Sequence, residues 1–346
     1  MAKRSATILD VANAAGVSTA TVSRVLNGGR ASEAARAAVE RAVAELNYRR
    51  NDLARGLVTG RTGVIGVLIP DVIGPLYAQM ARGIEDVLEP LGMHYMMVTD
   101  NRSLEQEAAA LELLLARQVD ALVLIGSQLE PRRLEALLRG GPATVLVQRE
   151  LPTDADDFTT LAIDNRAGVA ASVDHLVALG HTRIAHIAGI RRDGVERRQS
   201  FIELVGDRGL QPAALVESDS REESGREAAQ RIFGTVSATA VVCTNDRVAV
   251  GVYRAARERG LSIPADLAVV GFDDLPWSAY LDPPLTTVRQ PARTMGREAA
   301  RRVLAALAGE DEVQRIVVAP RLIERESSRG LARSQGGETN PSVRVR

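Results

Sequence analysis

Eight short apolar runs, set between amphipathic stretches, occupy the sequence from Val64 onward and leave few folds open to it. They are VIGVLIP, MHYMMVT, DALVLIG, ATVLVQR, RIAHIAG, AALVES, AVVCTND and LAVVGFDD. Each is rich in Val, Ile and Leu and continuous rather than alternating, as strands covered on both faces are. Strands of that kind build parallel sheets whose crossover helices coat both sides. Eight of them exceed one comfortable sheet, so the expected body is a pair of doubly wound α/β lobes. A chain of 346 residues with 45% hydrophobic content can fill two such cores and still carry a small appendage. Ligands of these sheets bind beyond the carboxyl ends of the strands. The polar residues at those ends are Asp71, Asp100, Ser127, Arg149, Asp164 with Asn165, Asn245 with Asp246, and Asp273 with Asp274. Each carboxylate has an alternative role as cap of the helix that follows its strand.

Several function classes lack an anchor. No GxGxxG fingerprint or Walker-type loop follows any strand, so no nucleotide cofactor is expected. The four histidines are scattered without metal-ligand spacing, and the single Cys243 sits in an apolar run as a packing residue. Paired carboxylates suggest a glycosidase, but a nucleophile elbow is missing and catalysis would leave the N-terminal segment unexplained; no enzyme activity is expected. Neither a membrane span nor the apolar centre of a secretory signal is visible, which points to the cytoplasm.

The N-terminal segment has its own character. Residues 1–61 hold ten Lys and Arg against five Asp and Glu, while the whole chain has a net charge of −1. Such a basic head on a mildly acidic body suits a polyanion-binding module. Ile8, Val11, Ala12 and Ala15 recur at helical spacing up to Gly16. Ser18 then caps a second helix with Val22, Val25 and Leu26 on one side, and Ser32 caps a third whose stripe is Val39, Ala42, Val43 and Leu46. The opposite face of the second helix carries Thr19, Ala20, Ser23, Arg24 and Asn27. Short and hydrogen-bonding, these let a backbone come close to a DNA major groove.

The stretch TILDVANAAGVSTATVSRVLNG, followed by VERAVAELNY and NDLARGL, resembles the DNA-binding head of the LacI/GalR family of bacterial transcription regulators. The likeness continues through GVIGVLIPDV, HLVALGHTRIAHIAG, VVCTNDRVAVG and VVGFDDLPWSAYLDPPLTTVRQP to about residue 328. It implies a helix-turn-helix domain over 1–50, a hinge over 51–61 and a periplasmic-binding-protein-like body over 62–328. The body's first lobe spans about 62–163 and 291–320, its second about 164–290 and 321–328, and 329–346 is expected to be a disordered tail. The resemblance also implies that Thr19, Ala20 and Arg24 face base edges, with Arg24 as the main reader. Thr7, Ser18, Thr21, Ser23 and Asn27 then position the head on phosphates. In the hinge, Asn51 and Ala54 meet DNA, and Leu57 wedges into the minor groove. Effector contacts carry over to Leu76, Tyr77, Asp100, Ser127, Arg149, Asp164, Arg197, Asn245 and Asp273. Ser220 stands where relatives often place a stacking aromatic, which favours a small polyol, sugar or sugar acid over a flat purine.

The expected function is therefore a repressor of transcription: a homodimer on double-stranded operator DNA, its affinity changed by a small hydroxylated effector between the lobes. Two other readings stay open, a DNA-binding regulator controlled by a corepressor protein and a sugar-binding receptor with the same body.

Overall fold

The computed structural model describes residues 6–26, 28–48, 62–149, 151, 158–310 and 312–329, and the chain divides into an N-terminal unit, Met1–Gly63, and a body from Val64. In the first unit α1 (Ile8–Ala15), α2 (Thr19–Leu26) and α3 (Glu33–Glu45) close on Val11, Ala12, Val22, Val25, Val39 and Ala42. Each helix start is fixed by its own hydroxyl. Thr7 Oγ1 accepts the Asp10 amide at 3.3 Å while the Asp10 carboxylate accepts the Thr7 amide at 2.8 Å, a reciprocal box. Ser18 Oγ accepts from the Thr21 amide and Ser32 Oγ from the Ala35 amide. Gly16 ends α1 with φ +67°, the left-handed conformation that costs glycine nothing. One stripe residue departs from expectation: Leu46, the C-cap of α3, is 37% exposed. Tyr48 packs on the core as well.

The body holds two six-stranded sheets. In the first the order is β11-β5-β4-β3-β1-β2, with β1 (Val64–Ile69), β2 (His94–Thr99), β3 (Ala121–Ile125), β4 (Ala143–Val147), β5 (Thr159–Ile163) and β11 (Arg315–Val318), all parallel. The second runs β12-β10-β9-β8-β6-β7: β6 (Ile184–Gly189), β7 (Ala214–Ser218), β8 (Ala240–Cys243), β9 (Ala268–Asp273), β10 (Thr286–Arg289) and β12 (Arg321–Ile323). The helices are α4 (Pro75–Leu88), α5 (Leu104–Ala116), α6 (Pro131–Leu138), α7 (Asn165–Ala178), α8 (Arg192–Asp207), α9 (Glu222–Thr235), α10 (Asp246–Glu258) and α11 (Ala292–Leu307). The chain passes between sheets after β5, after β10 and again between β11 and β12.

The eight strands read from apolar runs are present, and four more join them. β5, β10, β11 and β12 are short and each carries at least one Thr or Arg, which hid them. β12 pairs antiparallel to β10, an exception to the parallel expectation, because the chain enters the second sheet there directly from β11. Nor are all eight runs covered on both faces. β2 and β7 are sheet edges, and Met97 is 42% exposed.

Both lobes use the same device to seat paired helices on the sheet. At Gly296 of α11 a Cβ would overlap the Met80 carbonyl oxygen of α4, and at Gly251 of α10 it would overlap the Glu222 carbonyl oxygen of α9. Backbone against backbone leaves no room for a methyl group. Gly251→Ala should therefore cost about 1–3 kcal/mol through overpacking. Gly206→Ala, in α8 with nothing within 4 Å of the added Cβ, should instead be neutral or stabilise by about 0.5–1 kcal/mol. Urea unfolding of both variants checks the contrast.

Candidate functional site

The outward face of α2 is built from small residues around one long cation. Thr19, Ala20 and Arg24 are exposed and Thr21 and Ser23 half-buried, while Val22 and Val25 anchor the helix from behind. The Gly29 amide donates to the Arg24 carbonyl at 2.8 Å, and the chain there comes so close that a Cβ on Gly29 would sit 2.7 Å from Arg24 Cγ. Arg36 of α3 secures this loop by donating to the Gly29 carbonyl at 3.0 Å. Thr7 and Ser18 spend their hydroxyl oxygens as helix caps, and Ser18 also pairs with Thr21 at 2.9 Å. Asn27, Asn51, Ala54 and Leu57 lie outside the described residues.

In the body the strand ends of the two sheets meet across a cleft. Arg197, on α8 and 2% exposed, donates through Nε to Asn165 Oδ1 at 2.8 Å and through Nη1 to the Thr244 carbonyl at 2.5 Å. Its guanidinium carbon lies 3.7 Å from the centroid of Phe272, a cation–π contact. Across the cleft Arg149, 1% exposed, donates to Ser127 Oγ at 2.9 Å and to the Leu129 carbonyl at 2.6 Å. Burial, reinforced by the nearby Arg192 cation, lowers the Arg149 pKa to about 10. Both arginines line one narrow cavity of about 10 Å³ with Gln148, Ala162, Ile163, Asn165, Asp193 and Glu196.

Asp273 ends β9 at the same level. Gln290, in the second crossing, donates to its Oδ1 at 2.6 Å. Burial pushes the Asp273 carboxyl well above the carboxylate range, against the pull of Arg197 and with a further push from Asp246. Asp246 is wholly buried and accepts from the Leu275 amide, Ser278 and Thr287, so its role is to hold the β9–β10 connection. Asp273 and Asp274 both have positive φ, +119° and +53°, a strained corner for residues that carry a Cβ. Arg289 and Arg325 brace it, each donating to the Asp274 carboxylate, at 2.6 and 2.7 Å.

Direct bonds join the two lobes. Gln128 Oε1 accepts the Arg192 amide at 3.0 Å, Arg191 donates to the Gly126 carbonyl at 2.9 Å, and Gln148 donates to Gln290 at 3.3 Å.

The residues singled out from sequence thus divide into groups. Arg149 and Arg197 line the cavity, Ser127 bonds Arg149 from behind it, and Asp273 stands close enough to feel Arg197. Asp164 caps α7 through the Ala167 amide, and Asn245 caps α10 through the Val248 amide, both at 2.8 Å; Asn245 also donates to the Ser220 carbonyl. Asp100 is buried, accepts the Arg102 amide at 2.6 Å, and has its pKa raised by burial to about 6. Leu76 packs into the first lobe's core, and the Tyr77 ring lies against Gly74. Gln128, Gln148, Asp193 and Glu196 went unread. Asp193, Glu196 and Arg197 share one face of α8 by their spacing, a signal open to sequence reading, whereas Gln148 and Gln128 are placed only by the fold. Among the described residues no cluster of three or more metal-ligating side chains occurs, and no helix is long and apolar enough to cross a membrane.

These two features have counterparts in known proteins. Residues 7–51 match the model for bacterial regulatory proteins of the lacI family, and residues 173–328 match the periplasmic binding protein-like domain. The HTH-type transcriptional regulator GalR of Escherichia coli strain K12 is 35% identical over 330 residues, covering 93% of this chain and 95% of GalR. Among solved structures, the lac repressor dimer bound to operator and the anti-inducer ONPF aligns with a TM-score of 0.86 at 30% identity, covering 95% of this chain and 100% of that one. The complex of the transcriptional regulator CelR with cellobiose aligns at 0.71 and 31% identity, over 93% of this chain and 99% of the other. On head, body and the near-complete span of these likenesses, the chain belongs to the LacI family of bacterial regulatory proteins.

Proposed function

We propose that the protein is a homodimeric transcriptional repressor that reads operator DNA through α2 and responds to a small hydroxylated metabolite held between its lobes. The observation that carries this reading is the pairing, in one chain, of an exposed Thr19-Ala20-Arg24 face with a cleft lined by two buried arginines. Small residues let the helix sink into the groove, and Arg24 reaches a guanine edge. A dimer presents two such helices to a pseudo-palindromic site. GalR is a regulator of the same length class, the lac repressor was solved on operator, and CelR holds a sugar; these support the assignment. The effector acts by linkage: it binds one arrangement of the lobes better than the other and so shifts DNA affinity. Gln128–Arg192, Arg191–Gly126 and Gln148–Gln290 are the bonds that such a change of lobe angle remakes.

Selection from random duplexes at moderate salt, followed by footprinting, tests the DNA-reading half; recovery of no preferred sequence rejects it. On the selected site, Arg24→Ala should lose about 1–3 kcal/mol of discrimination while keeping much of its non-specific binding. An unaltered footprint removes Arg24 as a base reader. Thermal-shift screening against sugars, polyols, sugar acids and nucleosides tests the second half, since an effector raises the melting temperature with occupancy. Asp273→Ala should abolish the shift and the DNA response to the compound found, with operator affinity in its absence retained. A wholly silent screen favours control by a protein partner.

A further inference from the structure

The connection from β9 to β10, residues 274–285, belongs to the second lobe by sequence but packs into both. Leu285 lies in a core of the second lobe, and Leu281 packs against that core. Leu275, 2% exposed, is instead a member of the first lobe's core, and the half-buried Trp277 packs against the same residues. Among the described residues, no other part of 164–290 joins that core. One carboxylate fixes the second-lobe end. Asp246, the first residue of α10 and wholly buried, accepts from the Leu275 amide at 2.8 Å, from Ser278 Oγ at 2.6 Å and from Thr287 Oγ1 at 2.5 Å. These donors are uncharged, so burying the carboxylate costs stability relative to an apolar side chain of similar size. β9 makes room for it: at Gly271 an added Cβ would stand 2.2 Å from Asp246 Oδ1. Farther along α10, Tyr253 donates to the Pro283 carbonyl at 2.8 Å. The start of α10 is tied to the cleft as well, since the Thr244 carbonyl, two residues before Asp246, accepts from Arg197 at 2.5 Å.

We infer that the β9–β10 connection is a strut coupling the cleft to the first lobe, with Asp246 as the positioning residue at its second-lobe end. The inference rests on the cleft being the effector site, as proposed above, and adds the route by which its state reaches the first lobe. A strut needs both ends fixed. One end is held by directional hydrogen bonds, which set angle and distance; the other sits in a close-packed core, which transmits displacement rather than absorbing it. A shift of Arg197 moves the start of α10, Asp246 moves with it, and Leu275 and Trp277 shift within the first core. Asp246 does not line the cavity, so it governs the response and not the affinity for an occupant.

Trp277 is the chain's only tryptophan, so its emission reads the first-lobe end of the strut while a substitution acts at the other. Full-length wild type, Asp246→Asn and Asp246→Ala are compared. Asn keeps an oxygen for the Leu275 amide and can turn its NH2 to the Thr287 hydroxyl, which accepts as well as donates; Ala keeps neither. In the free protein, acrylamide quenching of Trp277 should rise about two-fold or more in Asp246→Ala, with far-UV circular dichroism unchanged, and should stay near wild type in Asp246→Asn. Unchanged quenching in Asp246→Ala overturns the inference. Addition of the duplex recovered by selection should then alter the emission of wild type and Asp246→Asn but not that of Asp246→Ala, although all three bind it. An equal change in wild type and Asp246→Ala, or none in wild type, overturns the strut and leaves DNA reading by α2 standing. If no duplex is recovered, the repressor reading fails and the free-protein quenching decides the strut alone. Should Asp246→Ala not fold, Leu275→Ala takes its place at the other end, and a retained wild-type response to the duplex overturns the inference.

Discussion

Neither lobe of the body completes its sheet until the chain has passed through the other. The first sheet waits for β11, which arrives after β6 to β10 have been laid down, and the second is finished by β12, which follows from β11. α11 returns with the same passage and places Met295, Ala299, Ala300 and Val303 in the first core. The lobes are therefore separate in packing but joined in topology. Their crossings carry side chains that matter to the cleft: Asn165, after β5, holds Arg197, and Gln290, after β10, bonds both Asp273 and Gln148.

The electrostatics of the cleft follow from that construction. Strand ends converge there with their polar groups, and burial then penalises whichever charge lacks a partner. Asp273 has its pKa raised by burial, against the pull of Arg197, and accepts from Gln290. Asp246 finds three donors and fixes the β9–β10 connection. The arginines have no such escape, since a guanidinium does not shed its proton at physiological pH. Strain at Asp273 and Asp274 persists because Arg289 and Arg325 hold the second carboxylate, and Arg325 is brought there by the last crossing. Donors, strain and topology thus meet within one corner of the second lobe.

How much of this was legible in the sequence depended on whether the signal was local. Central strands announced themselves because both their faces are covered, as with VVC in β8; the shorter β5, β10, β11 and β12 need pairing partners to be recognised at all. Caps were readable, since Ser32 and Ser18 act on backbone three residues away. At the cleft, Arg149 and Arg197 could be named, but Asp164 and Asn245 could not be told from caps by position alone, and capping bonds are what their side chains make. Gln128 and Gln148 carry no local mark. Their importance comes from facing the other lobe, which only the fold arranges.

The proposed base reading by Arg24 has a physical basis in the N-terminal unit. Among the described residues its fully buried core is six Val and Ala residues, with Ile8, Leu26 and Tyr48 partly buried around them, so it buries little area and leaves little stability to spare. Capping hydroxyls worth about 1 kcal/mol each are then a large share of what holds three short helices in place. Thr7 and Ser18 are committed to that work before any DNA arrives, and Ser18 occupies Thr21 as well. Phosphate contacts from these groups compete with their caps, whereas Arg24 points outward from a helix anchored by Val22 and Val25 and has no capping duty. The Gly29 turn, drawn against the Arg24 stem and secured by Arg36, limits where that long side chain can swing. Restricting its rotamers before contact lowers the entropy lost on binding a base edge, so a helix face of otherwise short residues can discriminate with one guanidinium.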